Sequence, residues 1–160
     1  MLDKALDRAR SNHDGDVAEW FDELRIPSIA TAPDHRADTI RNAEWLVERF
    51  QAAGLESDLW GAEGGMPIVR AEWRGRPGAP TATIYGHYDV QPADPLELWT
   101  SPPFEPTVRD GRVYARGAAD SKVNHFAALK AAEHAIAAGG PPVNIRFLIE
   151  GEEEGGGTVL

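Results

Sequence analysis

The stretch Val143-Asn144-Ile145-Arg146-Phe147-Leu148-Ile149 leads directly into Glu150-Gly151-Glu152-Glu153-Glu154, and Gly155-Gly156-Gly157 follows. The first seven residues are mostly apolar, and a short apolar run of this kind predicts a buried strand. Carboxylates crowded at the end of a strand repel one another unless cations or protons neutralise them. The stretch therefore predicts a metal site at the carboxyl end of a strand.

The residues upstream of this strand complete a β-α-β unit. Thr81 to Tyr85 predicts a second strand, and Ser121 to Ala138 predicts a helix that ends at Gly139-Gly140. A strand, a helix and a strand in this order predict neighbouring parallel strands with a right-handed crossover. The carboxyl ends of both strands then meet at one edge of the sheet, where ligands bind in open α/β proteins.

Further elements are predicted on either side of this unit. Helices are predicted over residues 2 to 24, with an irregularity around Asn12 to Gly15, and over about Asp34 to Ala53. Additional strands are predicted over Ile68 to Trp73 and Arg112 to Tyr114, and a hairpin turning at Asp110-Gly111 joins Pro106 to Val108 with Val113 to Arg116. The fold class is therefore α/β, with a mixed, largely parallel sheet flanked by helices.

Composition limits the partners and the metal ligands. The 160 residues carry a net charge of −10, which argues against nucleic acid and anionic membranes as partners because both require basic surface. The chain has no cysteine, so a metal has to be held by His, Asp and Glu. The N-terminus has no apolar segment of signal-peptide length and no run approaches a membrane span, which predicts a cytoplasmic protein.

Five candidate site residues lie just after the predicted strands or at a helix start. They are His87, Asp89, Asp120, Glu153 and Glu154. His87 and Asp89 are two residues apart in an extended segment, so their side chains can face the same side, and a carboxylate can orient a histidine ligand. Asp120 at the start of the third helix fits an N-cap, and it can also reach a cation in front of the sheet.

Three ordered motifs carry a resemblance to a known family. They are Gly86-His87-Tyr88-Asp89-Val90-Gln91-Pro92, Arg116-Gly117-Ala118-Ala119-Asp120-Ser121-Lys122 and Glu150-Gly151-Glu152-Glu153-Glu154. Together they resemble the N-terminal motifs of the co-catalytic zinc exopeptidases and deacylases, which include carnosine dipeptidase, acetylornithine deacetylase and succinyl-diaminopimelate desuccinylase. Gln91-Pro92 and the segment from Leu98 to Phe104 most resemble the dipeptidase branch.

The resemblance implies a role for each candidate residue. His87 ligates one metal ion, Asp120 bridges two, and Glu154 ligates the second. Glu153 is the general base, and Asp89 orients His87. The cofactors implied are two divalent ions, zinc in the first place, although nitrogen and oxygen ligands also accept manganese or cobalt.

The resemblance also implies a reaction and a local geometry. The reaction is metal-dependent hydrolysis of the amide bond of dipeptides or small N-acyl amino acids, by water activated between two metal ions. The partner is thus a small peptide or N-acyl amino acid, and the full-length form is a homodimer. A non-proline cis peptide is implied at Asp120-Ser121. Relatives usually have Asp-Lys-Gly or a close variant after the bridging aspartate, whereas this chain has Ser121-Lys122-Val123, which puts the start of the helix in question.

The family has further metal ligands downstream, together with a lid domain used for dimerisation. We therefore expect residues 1–160 to be the N-terminal portion of a catalytic domain that is incomplete at its C-terminus, and we expect this chain alone to be inactive. The alternative is a truncated, inactive chain with at most weak metal binding or protein association.

The remaining histidines and one tryptophan carry weaker expectations. His13, His35, His125 and His134 are interpreted as surface residues, and His125 is the only one of them near enough to substitute as a ligand. Trp99 either lines a substrate pocket or fixes its own loop, and the sequence leaves both open. Glu150 and Glu152 are expected to be supporting or exposed.

Overall fold

The computed structural model describes residues 1–61 and 64–157 of the chain. These residues contain three α-helices and six β-strands. The helices are α1 (Leu2–Leu24), α2 (Arg36–Ala52) and α3 (Lys122–Ala137). The strands are β1 (Glu56–Trp60), β2 (Ile68–Trp73), β3 (Thr81–His87), β4 (Thr107–Arg109), β5 (Arg112–Tyr114) and β6 (Asn144–Glu150). Short 3-10 turns cover Pro33–His35, Leu96–Leu98 and Glu153–Gly155.

Four of the strands form one mixed sheet in the order β1-β2-β6-β3. β3 and β6 pair in parallel, with Thr81 opposite Asn144 and His87 opposite Glu150, so the predicted β-α-β pairing is confirmed. β1 with β2 and β2 with β6 pair antiparallel. The mixed sheet is confirmed, but among the described pairings the parallel ones are fewer than predicted. The short link between β1 and β2 favours antiparallel pairing, because a parallel pair needs a long crossover.

The predicted hairpin is also present, as a separate two-stranded sheet of β4 and β5. Val108 pairs with Val113, and the turn between the strands is Asp110-Gly111. Both turn residues have positive φ, 50° at Asp110 and 71° at Gly111, which matches the right-handed twist of a two-residue hairpin.

The core lies between the four-stranded sheet and the helices α2 and α3. Phe50 of α2 and Phe147 of β6 are both fully buried, and their ring centroids are 4.7 Å apart. Leu46 and Leu129 extend the same cluster from α2 and α3. α1 packs against α3 rather than the sheet, so it forms an outer layer.

Two predictions about secondary structure were wrong. α1 is continuous through Asn12 to Gly15, where we expected an irregularity. The Asn12 side chain donates to Asp16 Oδ1 at 2.7 Å, one helical turn away, and Asp16 in turn contacts α3. β1 was missed because it is an edge strand with exposed polar residues and no alternating apolar pattern. Arg70 of β2 contacts it, with its guanidinium 4.6 Å from the Trp60 ring centroid.

Two histidines that we interpreted as surface residues are buried between helices. His125 is fully buried, and its Nε2 lies 2.7 Å from Glu23 Oε1 of α1. His134 is also buried, and its Nε2 lies 2.7 Å from Asp16 Oδ2. Each histidine therefore contacts an acidic residue of α1, an arrangement that helical periodicity in α3 alone does not reveal.

Lys122 is a further polar group buried between α1 and α3. Its ammonium donates to the carbonyl oxygens of Glu23 at 2.9 Å and Ile26 at 2.8 Å, at the end of α1. Burial lowers the pKa of Lys122 to about 8, although the nearby Glu23 carboxylate opposes part of this effect. The lysine side chain thus ties the first residue of α3 to the last turn of α1.

Within the described residues, no helix is both long enough and apolar enough to cross a membrane.

We expect Gly151→Ala to destabilise the protein by about 1–3 kcal/mol through overpacking. A Cβ at this position would lie 2.2 Å from the Tyr88 hydroxyl oxygen. Tyr88 cannot move aside easily, because it is fully buried and its hydroxyl donates to the Pro67 carbonyl at 2.6 Å. Urea unfolding of the variant and the wild type measures the difference.

Gly61→Ala is the matched control for this substitution. A Cβ at Gly61 would meet no atom of the described residues within 4 Å, so its effect should stay within about 0.5 kcal/mol. Equal unfolding midpoints for Gly151→Ala and Gly61→Ala would contradict the close packing of Tyr88 against Gly151.

We expect Lys122→Met to lower the free energy of unfolding by at least about 2 kcal/mol, because the variant loses the hydrogen bonds that the charged ammonium donates to Glu23 and Ile26. A hydrogen bond to a charged group contributes about 1.5–3 kcal/mol. The difference should also grow between about pH 8 and pH 10. Over that window the unfolded chain holds the lysine proton more tightly than the folded chain, so the wild type gains stability as the pH rises.

Lys122→Met lacks this pH-dependent gain. Urea titrations at several pH values test both parts, with the exposed Lys4→Met as the control. A gap between wild type and Lys122→Met that stays constant from pH 8 to pH 10 would show that Lys122 titrates normally.

Candidate metal centre

His87 is the last residue of β3 and lies at the edge of the sheet where β3 and β6 end together. Its Nδ1 lies 3.1 Å from the Asp89 carbonyl oxygen and 3.3 Å from Asp89 Oδ1. The carbonyl oxygen can only accept a hydrogen bond, so Nδ1 carries a proton, and Nε2 is the ring nitrogen left to face a metal ion. Asp89 is fully buried, and the contact with His87 that we predicted for it is present.

The free Nε2 of His87 faces two carboxylates from other parts of the chain. Asp120 Oδ1 lies 3.3 Å from this nitrogen, and Glu153 Oε2 lies 3.9 Å from it. Asp120 comes from the segment before α3, and its side chain is 75% exposed. Asp120 is 33 positions and Glu153 is 66 positions from His87 in the sequence, so the contacts join distant segments.

Asp120 does not cap α3, although the sequence allowed this residue to be either an N-cap or a contact for a cation. The N-cap residue is Ser121, and no side chain forms a capping hydrogen bond there. The Asp120-Ser121 peptide is cis, as the resemblance implied. The Ser121 hydroxyl donates to the His87 carbonyl oxygen at 3.4 Å, so the start of α3 contacts the end of β3. Asp120 is therefore free to face His87.

Glu153 and Glu154 lie on a short turn directly after β6. Gly155 N and Gly157 N both donate to the Glu152 carbonyl, at 3.1 and 2.9 Å, which closes the turn. The Glu154 backbone N–H donates to Asp89 Oδ2 at 3.0 Å. The Asp89 carboxylate thus contacts both His87 and the acidic turn.

The remaining acidic residues of the stretch have separate environments. Glu150 is buried and accepts a hydrogen bond from the Tyr85 hydroxyl. This hydrogen bond, with burial and the Glu150 charge, raises the pKa of Tyr85 to about 12. Glu152 is half-buried and lines an open cavity of about 420 Å³ together with Ala30, Thr31 and the residues Gly155, Gly156 and Gly157.

The donor set fits a divalent cation. One ligand atom each from His87, Glu153 and Glu154 lie within 4.8 Å of one another. Burial alone lowers the pKa of His87, but the hydrogen bond and charge of Asp89 and the charge of Glu153 outweigh it and raise the pKa to about 9. Such carboxylates stabilise a positive charge at this point, and imidazole with carboxylate is a common ligand set for zinc.

The structure brings all five predicted residues to one edge of the sheet. The residues whose ligand atoms lie closest together are, however, not the same three that the resemblance makes metal ligands. The three residues with mutually close ligand atoms include Glu153, which the resemblance makes a base, and Asp120 contacts this group through His87. Trp99 donates from Nε1 to the Ala93 carbonyl at 2.8 Å, which supports the reading that it fixes its loop.

The sequence pattern did not predict the contacts of two side chains. Gln91 Nε2 lies 2.8 Å from Glu154 Oε2 in the candidate metal centre, and Lys122 contacts the end of α1. The spacing of His87, Asp89 and Gln91 at every second residue was a signal for Gln91. Nothing in the sequence pattern pointed to the partners of Lys122.

Comparison with known proteins agrees with this geometry. Residues 83–159 match the sequence pattern of peptidase family M20/M25/M40. Succinyl-diaminopimelate desuccinylase of Burkholderia ambifaria is 44% identical over 116 residues, which are 71% of this chain and 30% of the desuccinylase.

Two solved structures share the fold. Human carnosine dipeptidase 1 superposes with a TM-score of 0.92 at 30% identity, over 99% of this chain and 36% of that one. The M20 family metallo-carboxypeptidase of Sulfolobus solfataricus gives a TM-score of 0.80 at 34% identity, over 88% of this chain and 31% of that one. The chain therefore spans about a third of the length of these relatives. Residues 83–159 thus carry the sequence pattern of peptidase family M20/M25/M40, and the fold of the chain is similar to that of an M20 family metallo-carboxypeptidase.

Proposed function

We propose that this chain carries the N-terminal metal-binding part of a hydrolase active site that cleaves amide bonds in dipeptides or small N-acyl amino acids. The observation that carries the proposal is the convergence at His87 Nε2, which lies 3.3 Å from Asp120 and 3.9 Å from Glu153. The carboxylates of two other segments face this imidazole nitrogen and stabilise positive charge there, which suits a bound cation.

The resemblance to the zinc exopeptidases and deacylases gives each residue a role in this proposal. His87, Asp120 and Glu154 would hold two divalent metal ions, with Asp120 shared between them. Asp89 keeps the proton of His87 on Nδ1, so that Nε2 stays available as a ligand. When bound, such ions polarise an amide carbonyl and lower the pKa of water.

Glu153 is the candidate proton carrier. Its side chain is 47% exposed, so it can reach a water molecule and a substrate at the open side of the site. In the proposed step Glu153 accepts a proton from water while the water oxygen bonds to the amide carbon. The C–N bond then breaks, and Glu153 passes that proton to the departing nitrogen.

The relatives support the substrate class. One matched relative is named a desuccinylase and another a carnosine dipeptidase, and both names refer to cleavage of an amide bond next to a small acyl or amino acid group. The cavity beside Glu152 and Thr31 has room for such a group, at about 420 Å³. An assay with both kinds of substrate decides between a dipeptide and an N-acyl amino acid.

We expect His87→Ala to weaken zinc binding by more than about 100-fold, because it removes a ligand, whereas loss of an outer partner alone costs about 10–100-fold. Calorimetric titration of the metal-free chain with zinc chloride measures this directly. His13→Ala, which removes an exposed histidine of α1, should leave the affinity unchanged. Equal zinc affinity for His87→Ala and the wild type would remove His87 from the site.

For any substrate that the zinc-loaded wild type hydrolyses, we expect Glu153→Gln to reduce the rate by about 10²–10⁴-fold, the range typical of general acid–base catalysis, while zinc affinity stays nearly unchanged. The assay uses the zinc-loaded chain with a panel of dipeptides and N-succinyl amino acids. A large loss of zinc affinity in Glu153→Gln would instead make Glu153 a ligand. Zinc binding by the wild type without turnover of any substrate would favour the alternative of an inactive metal-binding chain.

A further inference from the structure

The side-chain amide of Gln91 contacts Glu154 at two points. Its Nε2 lies 2.8 Å from Glu154 Oε2 and 3.2 Å from the Glu154 carbonyl oxygen. An amide nitrogen has two hydrogens, so each oxygen can accept one of them. The amide therefore bridges the carboxylate of Glu154 and the backbone of the same residue, which selects one side-chain conformation.

A third contact fixes the backbone of Glu154. Its N–H donates to Asp89 Oδ2 at 3.0 Å. Asp89 and Gln91 are two residues apart, and Val90 between them is fully buried, with its N–H donating to the Ser28 carbonyl at 2.9 Å. One anchored segment after β3 thus holds Glu154 through its amide, its carbonyl and its carboxylate.

The same segment also orients His87, through Asp89. The alternation of side chains along an extended segment explains why Asp89 and Gln91 both reach the acidic turn. Because Gln91 engages Oε2, the other carboxylate oxygen of Glu154, Oε1, has no protein partner among the described contacts. The geometry leaves one oxygen of Glu154 available for a cation.

We propose that Gln91 is a positioning residue that presents Oε1 of Glu154 for single-oxygen coordination of a divalent cation. The inference rests on the proposed function, in which Glu154 is a metal ligand. Without Gln91 the Glu154 side chain samples several rotamers, and fixing it in one rotamer when metal binds costs conformational entropy. With Gln91 the carboxylate is already in place before the cation arrives.

The test compares Gln91→Met with the wild type, because methionine keeps the length of the side chain and removes both amide donors. Gln51→Met is the matched control. Gln51 is also exposed, and its Nε2 donates to the Ser57 carbonyl at 3.0 Å, away from the site. Thermal unfolding checks that all three proteins are folded.

The first measurement uses the metal-free chain and does not depend on the proposed function. NMR relaxation of the Glu154 side-chain carbons should show an ordered carboxylate in the wild type and in Gln51→Met, and increased mobility in Gln91→Met. Equal mobility of Glu154 in all three proteins would overturn the positioning role.

The second measurement adds metal. Zinc affinity by calorimetry should fall by about 10–100-fold in Gln91→Met and stay unchanged in Gln51→Met, as for loss of an outer partner of a ligand. The visible absorption bands of bound cobalt, which report ligand geometry, should also shift in Gln91→Met alone. Unchanged affinity and spectrum in Gln91→Met would refute a role of Gln91 in metal binding.

The two measurements separate the possible failures. If the wild type binds neither zinc nor cobalt, the proposed function fails, and the relaxation data still decide whether Gln91 orders Glu154. If the wild type binds both metals and Gln91→Met binds them equally well with unchanged spectra, the proposed function stands and Gln91 has no part in it.

Discussion

The ammonium group of Lys122 holds together the parts of the chain that carry the site. It donates to two carbonyl oxygens at the end of α1, inside a region that excludes water. Lys122 is only two residues beyond Asp120, and the next residue back, Ser121, contacts the carbonyl of His87. The position of Asp120 relative to His87 therefore depends on how α3 begins, and Lys122 fixes that beginning against α1.

A buried charge of this kind is unfavourable unless its donors are used. Here the ammonium donates to carbonyls at and just beyond the C-terminus of α1, where the helix dipole favours a positive charge. The same contact satisfies the end of α1 and the buried lysine. The Lys122 contact also explains why α3 can begin at Ser121-Lys122-Val123, which differs from the usual family pattern. The lysine of that pattern is retained, and no side chain forms a capping hydrogen bond at the start of α3.

Much of the fold was predictable from local patterns. The apolar runs of β3 and β6, with a helix between them, predicted the parallel pair, and Asp110-Gly111 predicted the hairpin. The edge strand β1 was not predictable in this way, because its residues are mostly exposed and pairing with β2 alone keeps it extended. The burial of His125 and His134 depends on acidic residues of α1 that are more than 100 positions away.

The sequence predicted which residues make up the candidate site, but it did not predict the distances between them. Strand ends and motif resemblance were enough to name His87, Asp89, Asp120, Glu153 and Glu154. The distances among them depend on the turn after β6 and on the segment from Asp89 to Gln91, and no periodicity encodes those contacts. Asp89 was expected to serve one partner, and in the structure its two carboxylate oxygens lie against His87 and Glu154.

Gly86, immediately before His87, lies close beneath α3. A Cβ at this position would be 3.3 Å from the Cβ of His125, which is a tight contact, so the absence of a side chain lets the strand and the helix approach closely. The end of β3 carries His87, and the segment that enters α3 carries Asp120. A glycine with no chemistry of its own thus packs the two elements that deliver a pair of candidate ligands.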